Sequence, residues 1–297
     1  MIRHIQDIIG KRFRALLCGD PSGDPPWLGA VAAGEGPGFF SPEEAPWIVH
    51  SDMATLVGGI RALLLQALHP GSLAGVRNHS RYKNDPLGRL AGTIQWLTVT
   101  TFAAQESLER EAARVRGMHG KVRGQYRDAQ GETREYDASD PHLLLWVHIA
   151  FMESFLRCHQ TYSHTPIPGG ADAYIRLWAK SVQPLGLSTA PLSESEMLAT
   201  IETFDRELTV SAETQEVLLW LRKPPLPWVA GIFYRLLYQS AYLTLPDRYQ
   251  KMIGMRVLPA WLIVPITVLI LKFLRIAIGP ENPIQDAALA RLARCKA

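Results

Sequence analysis

Between Leu56 and Leu68 only Arg61 and Gln66 interrupt an apolar run. A helix that is apolar nearly all round must be buried on most sides, so the remainder of the chain has to supply layers around it. Gly58 and Gly59 lie inside the run, where each glycine costs about 1 kcal/mol against alanine. That cost implies that another part of the chain approaches this backbone closely. His69-Pro70-Gly71 ends the run, because proline cannot continue the hydrogen-bond ladder.

Helical periodicity continues beyond it. After a polar, basic turn from Val76 to Asp85 that carries His79, Asp85 is placed to cap a helix beginning at Pro86. Arg89, Thr93, Trp96 and Thr100 follow at offsets of four, three and four, which puts them on one face, and Gly88 and Gly92 thin the helix beside them. Two readings of the Arg89 and Thr93 pair stand open. One is a surface arginine with a threonine bonded back to its own helix; the other is a buried arginine that requires an anionic partner.

Glu106 to Val122 forms the next helix, with Leu108, Ala112, Val115 and His119 on its apolar side and Gly117 and Gly120 flanking the histidine. A histidine in that position is either a core residue bonded to a carbonyl or a metal ligand, and flanking glycines leave room for a flat group. Arg123 to Ser139 reads as a polar loop. Asp140-Pro141 then opens a strongly apolar helix to about Tyr162, with His148 in the stripe of Leu144, Met152 and Phe155. His148 is open to three roles: packing, hydrogen bonding to a cofactor, or a second ligand. Further helices are expected over Asp172–Val182, Ser193–Leu208, Ser211–Leu221 and Trp228–Leu243. Strand-like alternation is nowhere convincing, so the expected architecture is all-α, a single globular multi-helix domain.

The two ends are less regular. Met1 to Cys18 has apolar residues at helical spacing among basic ones, which predicts an amphipathic helix docked on the body rather than a secretory signal. A Gly- and Pro-rich loop follows to Pro46, and within it Ser41 is expected to cap a helix with Pro42 in its first turn and Glu44 completing the box. Residues 1–46 are therefore read as a helix and loop packed on a helical body, 47–297. Near the other end Val257 to Leu271 contains no charge but includes Pro259 and Pro265. It falls short of the roughly 20 residues of a membrane span, so a buried, kinked core helix is expected. Peripheral membrane contact through 257–271 is the second reading.

Composition narrows the chemistry. A net charge of +3 with scattered basic residues gives no reason to expect nucleic acid as a partner. Cys18, Cys158 and Cys295 are far apart and odd in number, which disfavours a disulfide framework, a zinc site or an iron–sulfur cluster and points to the cytoplasm, with membrane association left open. There is no His-Glu-x-x-His, no Gly-x-Ser-x-Gly and no dinucleotide fingerprint after a strand. What remains is a helical core with buried-looking histidines, glycine-thinned helices and arginine, a combination that suits non-covalent haem: an axial imidazole, apolar walls and a cation for the propionates.

The motifs Gly59-Ile60-Arg61-Ala62-Leu63-Leu64-Leu65-Gln66-Ala67-Leu68-His69-Pro70, Asp85-Pro86-Leu87-Gly88-Arg89 with Thr93, Met118-His119 with Val122 and Gly124, and Trp146-Val147-His148 occur here in order. Together they resemble the family that includes the latex-clearing rubber oxygenases and the MpaB-type oxygenases. The resemblance implies a buried haem b pocket in an oxygenase-like domain, with His119 as the iron ligand and Arg89 and Thr93 shaping the propionate or distal side. His69, His79 and His148 are then candidates around the cofactor, and Gly92 stands where rubber-cleaving members carry a lysine that can cap the iron. The implied activity is oxygenation of an apolar, isoprenoid- or lipid-like substrate with dioxygen. The alternative is a haem- or lipid-binding helical protein without turnover, since the stretch Gly71 to Ala74, where the family's catalytic carboxylate is sought, contains no acid.

Overall fold

A computed structural model describes residues 2–79, 86–279 and 282–295. In chain order the helices are α1 (Ile2–Cys18), α2 (Leu28–Ala32), α3 (Ala45–Ser51), α4 (Ala54–Leu68), α5 (Pro70–His79), α6 (Pro86–Phe102) and α7 (Gln105–His119). A hairpin of β1 (Arg123–Arg127) and β2 (Thr133–Asp137) follows. Then come α8 (Pro141–Tyr162), α9 (Gly170–Trp178) with a 3₁₀ turn behind it, α10 (Glu194–Thr203), α11 (Ala212–Arg222), α12 (Trp228–Leu243), α13 (Asp247–Ile253), α14 (Ala260–Ile278) and α15 (Pro283–Arg294). The fold is predominantly α, as expected.

The apolar run beginning at Leu56 is the central helix, α4. Its largest packing partner is α8, and α12, α11 and α5 complete its surround. Gly58 explains the missing side chain: a Cβ there would lie 2.7 Å from Phe155 Cδ1 and 3.3 Å from the Ser154 carbonyl oxygen. Gly59 borders open space instead, so only one of the two glycines is required by the close approach.

Charge is buried in the same interface. Arg61, fully buried, forms a two-pronged ion pair with Glu153 of α8 and also donates to Ser154 Oγ at 2.8 Å and to the Thr244 carbonyl oxygen at 2.9 Å. The planar fork suits this, because each N–H finds an acceptor and neither charge is left alone in a low-dielectric interior.

Several local signals are realised directly. Asp140 accepts from the His142 backbone N–H at 2.8 Å with Pro141 in the first turn, which starts α8. Ser193 and Ser211 cap α10 and α11, the latter in a reciprocal box with Thr214. Three expectations need correction. Ser41 does not start a helix: its N–H donates to Glu44 Oε2 at 2.7 Å in a tight turn, and α3 begins only at Ala45. The expected loop 123–139 contains the β1–β2 hairpin, Arg123 opposite Asp137 and Arg127 opposite Thr133. It is almost wholly solvent-exposed, with Tyr136 as its one buried side chain, so it lacks the apolar alternation that marks a half-buried strand. Finally, α14 is not a buried core helix. Only Ile263, Thr267 and Leu271 on it are buried, and it extends through Lys272 and Arg275 to Ile278.

At the periphery α1 packs on α6 and α14, and α2 packs on α15 and α6. Arg291 of α15, fully buried, donates to the carbonyl oxygens of Val31 at 2.8 Å and Phe102 at 2.9 Å.

Candidate functional site

The helices α6 and α7 pack against each other across the short turn at Ala103 and Ala104, and Gln95 Nε2 of α6 donates to Glu111 Oε2 of α7 at 2.8 Å. An antiparallel hairpin pinned there places the first turns of α6, with Arg89 and Thr93, at the same end as the last turn of α7, with His119. Arg89's side chain and the Asp85 cap lie outside the described residues. Thr93 and His119 are both half-buried. His119 is the final residue of α7, and its carbonyl oxygen accepts from the Val122 N–H at 2.9 Å as the chain turns into β1. A Cβ at Gly92 or at Gly117 would meet nothing within 4 Å, so the glycine-thinned surface there faces open space rather than a packed neighbour.

Higher on the same face of α6, Thr100 is fully buried and its Oγ1 has no hydrogen-bond partner. On α8, His148 is buried and its Nε2 likewise has none. Burial penalises the imidazolium and holds the His148 pKa down to about 3, so the ring is neutral at physiological pH with a lone pair or an N–H unspent. A buried polar atom without a partner costs about 1–3 kcal/mol, so each one needs an explanation, of which a bound group is one. His50 is the instructive contrast. It is equally neutral, with its pKa lowered to about 3 by burial, but both ring nitrogens are satisfied, Nδ1 by Thr101 at 2.8 Å and Nε2 by Tyr174 at 3.0 Å. His50 is a packing histidine.

His79 and His69, also singled out by sequence, have protein partners. His79 is exposed, donates from Nε2 to the Arg123 carbonyl oxygen at 3.0 Å and stands edge-on to Tyr136, so it ties the end of α5 to the hairpin. His69 lies at the α4–α5 junction. Its Nδ1 accepts from the backbone N–H groups of Gly71 at 3.2 Å and Ser72 at 3.3 Å, which caps α5. Its Nε2 lies 3.2 Å from Glu207, and the same carboxylate lies 2.9 Å from Nε2 of His142.

Nothing in the local sequence points to Glu207 or to His142 as its partner; they meet only in the folded chain. The ligand atoms of His69, His142 and Glu207 fall within 4.8 Å of one another, close enough for a divalent ion to bridge. The tautomer argues otherwise. An Nδ1 that accepts from two amides leaves the ring proton on Nε2, so His69 offers Glu207 a donor, and metal binding there would require giving up the helix cap. Burial lowers the His69 pKa while Glu207 partly opposes the shift.

The buried acids are also accounted for. Glu153 is committed to Arg61, and Glu111 to Arg114 and Gln95. The Arg61–Glu153 pair escaped the sequence reading, although an arginine in an otherwise apolar helix already demands a buried acid somewhere.

These features define a helical protein with a glycine-lined α6–α7 surface and several buried polar atoms that no protein group completes, among them Thr100 Oγ1 on α6 and His148 Nε2, Trp146 Nε1 and His159 Nδ1 on α8. The family model described as "ER-bound oxygenase mpaB/B'/Rubber oxygenase, catalytic domain" matches residues 47–275, and the chain belongs to that family. The match begins at α3 and ends within α14, so α1, α2 and α15 lie outside it. No curated protein and no solved structure matches the chain.

Proposed function

We propose that this oxygenase-family chain uses haem b and acts with dioxygen on an apolar, isoprenoid- or lipid-like substrate. The observation that carries the cofactor step is the buried, neutral, unpartnered Nε2 of His148, the state in which an imidazole hydrogen-bonds or ligates a cofactor. The open space beside Gly92 and Gly117 leaves room for a flat group at the His119 end of the α6–α7 hairpin. In this reading His119 would hold the iron, Arg89 would pair with a propionate, and Thr93 and His148 would orient the group, with His69 and His79 candidates only if they gave up the protein partners they now have. The haem supplies the centre at which dioxygen is activated. The protein's part is to exclude water with apolar helices, to admit dioxygen past the side-chain-free Gly92, and to keep His148 uncharged. The three free cysteines suit a reducing, cytoplasmic compartment.

A second reading, binding without turnover, is favoured by one observation: Glu111 and Glu153 are both engaged by arginine and neither is available as a base. The absorbance spectrum of purified protein tests the cofactor. A Soret band is expected, as isolated or after haem reconstitution; its absence under both conditions removes the haem reading. His119→Ala should abolish the band, and an unchanged spectrum would move the iron ligand elsewhere. Oxygen consumption by the haem-loaded protein with polyisoprene or squalene then separates an oxygenase from a binder.

A further inference from the structure

The helix α14 is apolar on both sides. Its inner stripe, Ile263, Thr267 and Leu271, packs against α12 and α8, and Thr267 Oγ1 hydrogen-bonds Ser240 Oγ of α12 at 2.6 Å in the interior. Its outer stripe continues from the preceding residue Leu258 through Ile266, Leu269, Phe273 and Ile276, and Trp261 stands at its edge with 77% of its surface exposed. At 19 residues the helix is about 28 Å long, and it is the one helix among the described residues that is long and apolar enough on its own to cross a membrane.

The exposed surface does not end with α14. Gln6 Nε2 of α1 donates to the Ile276 carbonyl oxygen at 2.8 Å, and Ile5, Ile8 and Ile9 on α1 are exposed. On α12, which packs on α14, Trp228, Val229 and Ile232 are exposed in the first turns, with Trp228 again at 77%. So many exposed apolar side chains on three helices that pack on one another through α14 exceed the scattered single ones usual on a soluble monomer.

We propose that α1, the first half of α12 and the outer stripe of α14 form a monotopic membrane-binding face that lies in the surface of an anionic lipid bilayer. Two observations select this occupant. The charges around the face have one sign: Lys272 and Arg275 on α14, Arg235 on α12, and Arg3, Lys11 and Arg12 on α1, against the single acid Asp7. Basic residues beside an apolar stripe match anionic headgroups above acyl chains, and exposed indoles belong at that boundary. The inner stripe is committed to the core, so α14 is held flat by its packing and does not leave the fold to span. The inference stands on the surface alone, independently of the haem reading.

Flotation of the full chain with phosphatidylcholine vesicles, with and without phosphatidylglycerol, tests it. The wild type should float with the mixed vesicles and less completely with phosphatidylcholine alone. The double variant Trp261→Glu, Phe273→Glu changes only exposed positions and should retain the wild-type melting temperature while lowering partitioning roughly tenfold or more. Lys272→Glu, Arg275→Glu should remove the preference for phosphatidylglycerol and leave the binding to phosphatidylcholine. Wild-type protein that stays at the bottom of the gradient with both vesicles overturns the proposal, as does a folded Trp261→Glu, Phe273→Glu variant that floats like the wild type. Concentration-dependent self-association in lipid-free buffer, abolished by Trp261→Glu, would assign the face to a second copy of the chain and would overturn it equally.

Discussion

Two adjacent glycines in α4 have opposite consequences. At Gly58 a Cβ would sit 2.7 Å from Phe155 Cδ1 and 3.2 Å from its Cα, so Gly58→Ala must push α4 from α8, and a loss of about 1–3 kcal/mol is expected in chemical denaturation. At Gly59 nothing stands within 4 Å, so Gly59→Ala should be neutral or stabilising by up to about 1 kcal/mol. Equal losses at the two positions would contradict the packing described. Glu153→Gln removes the partner of a fully buried guanidinium and is expected to cost about 3–5 kcal/mol, with Arg61→Met, Glu153→Met together costing less than Glu153→Gln alone. Buried histidines add a pH dependence. Burial disfavours the charged forms of His50 and His148 and holds their pKa down to about 3 when folded, against about 6.5 for a free imidazole. Between those values the unfolded chain binds protons that the folded chain refuses. Stability is therefore complete above pH 6.5 and falls as the pH drops towards 3, by about 1.4 kcal/mol per pH unit for each ring. Urea midpoints measured from pH 7 down to about pH 4 should show this slope, and His50→Gln should reduce it by roughly half.

How much of each element was legible depended on where its information lies. Caps are local, so Asp140 and Ser193 placed the starts of α8 and α10. The hairpin was not legible, because strands exposed on both sides carry no burial period and are defined by pairing across the turn. The inversion of α14 was hidden for a different reason: an apolar run has the same composition whether its neighbours cover it or not. Of its two prolines, Pro259 is the N-cap, whereas Pro265 lies inside the helix and removes one backbone hydrogen bond without ending it. In the candidate site, the α6 face and His148 could be read from spacing, whereas the lack of a partner for His148 Nε2 and Thr100 Oγ1 is a property of the whole packed interior.

At the scale of the molecule, the segments outside the family match are fastened to it. Arg291 of α15 supplies donors to the carbonyl oxygens at the ends of α2 and α6, so the chain's last helix holds its second one. Arg291→Met should cost about 2 kcal/mol or more, since two buried carbonyl groups lose their charged donor, and increased amide exchange should be seen first in α2 and at the end of α6. The hairpin makes a comparable connection next to the proposed iron ligand. Its first strand starts four residues after His119, and its flank is held to α5 by His79 on the Arg123 carbonyl oxygen and by Asn78 on the Tyr136 hydroxyl. The end of α7 is thus moored on its far side by a ladder outside the proposed site. For any group received there, much of the ordering entropy has been spent during folding, so the affinity for a flat ligand would draw on a preorganised imidazole rather than on one recruited from a fraying helix end.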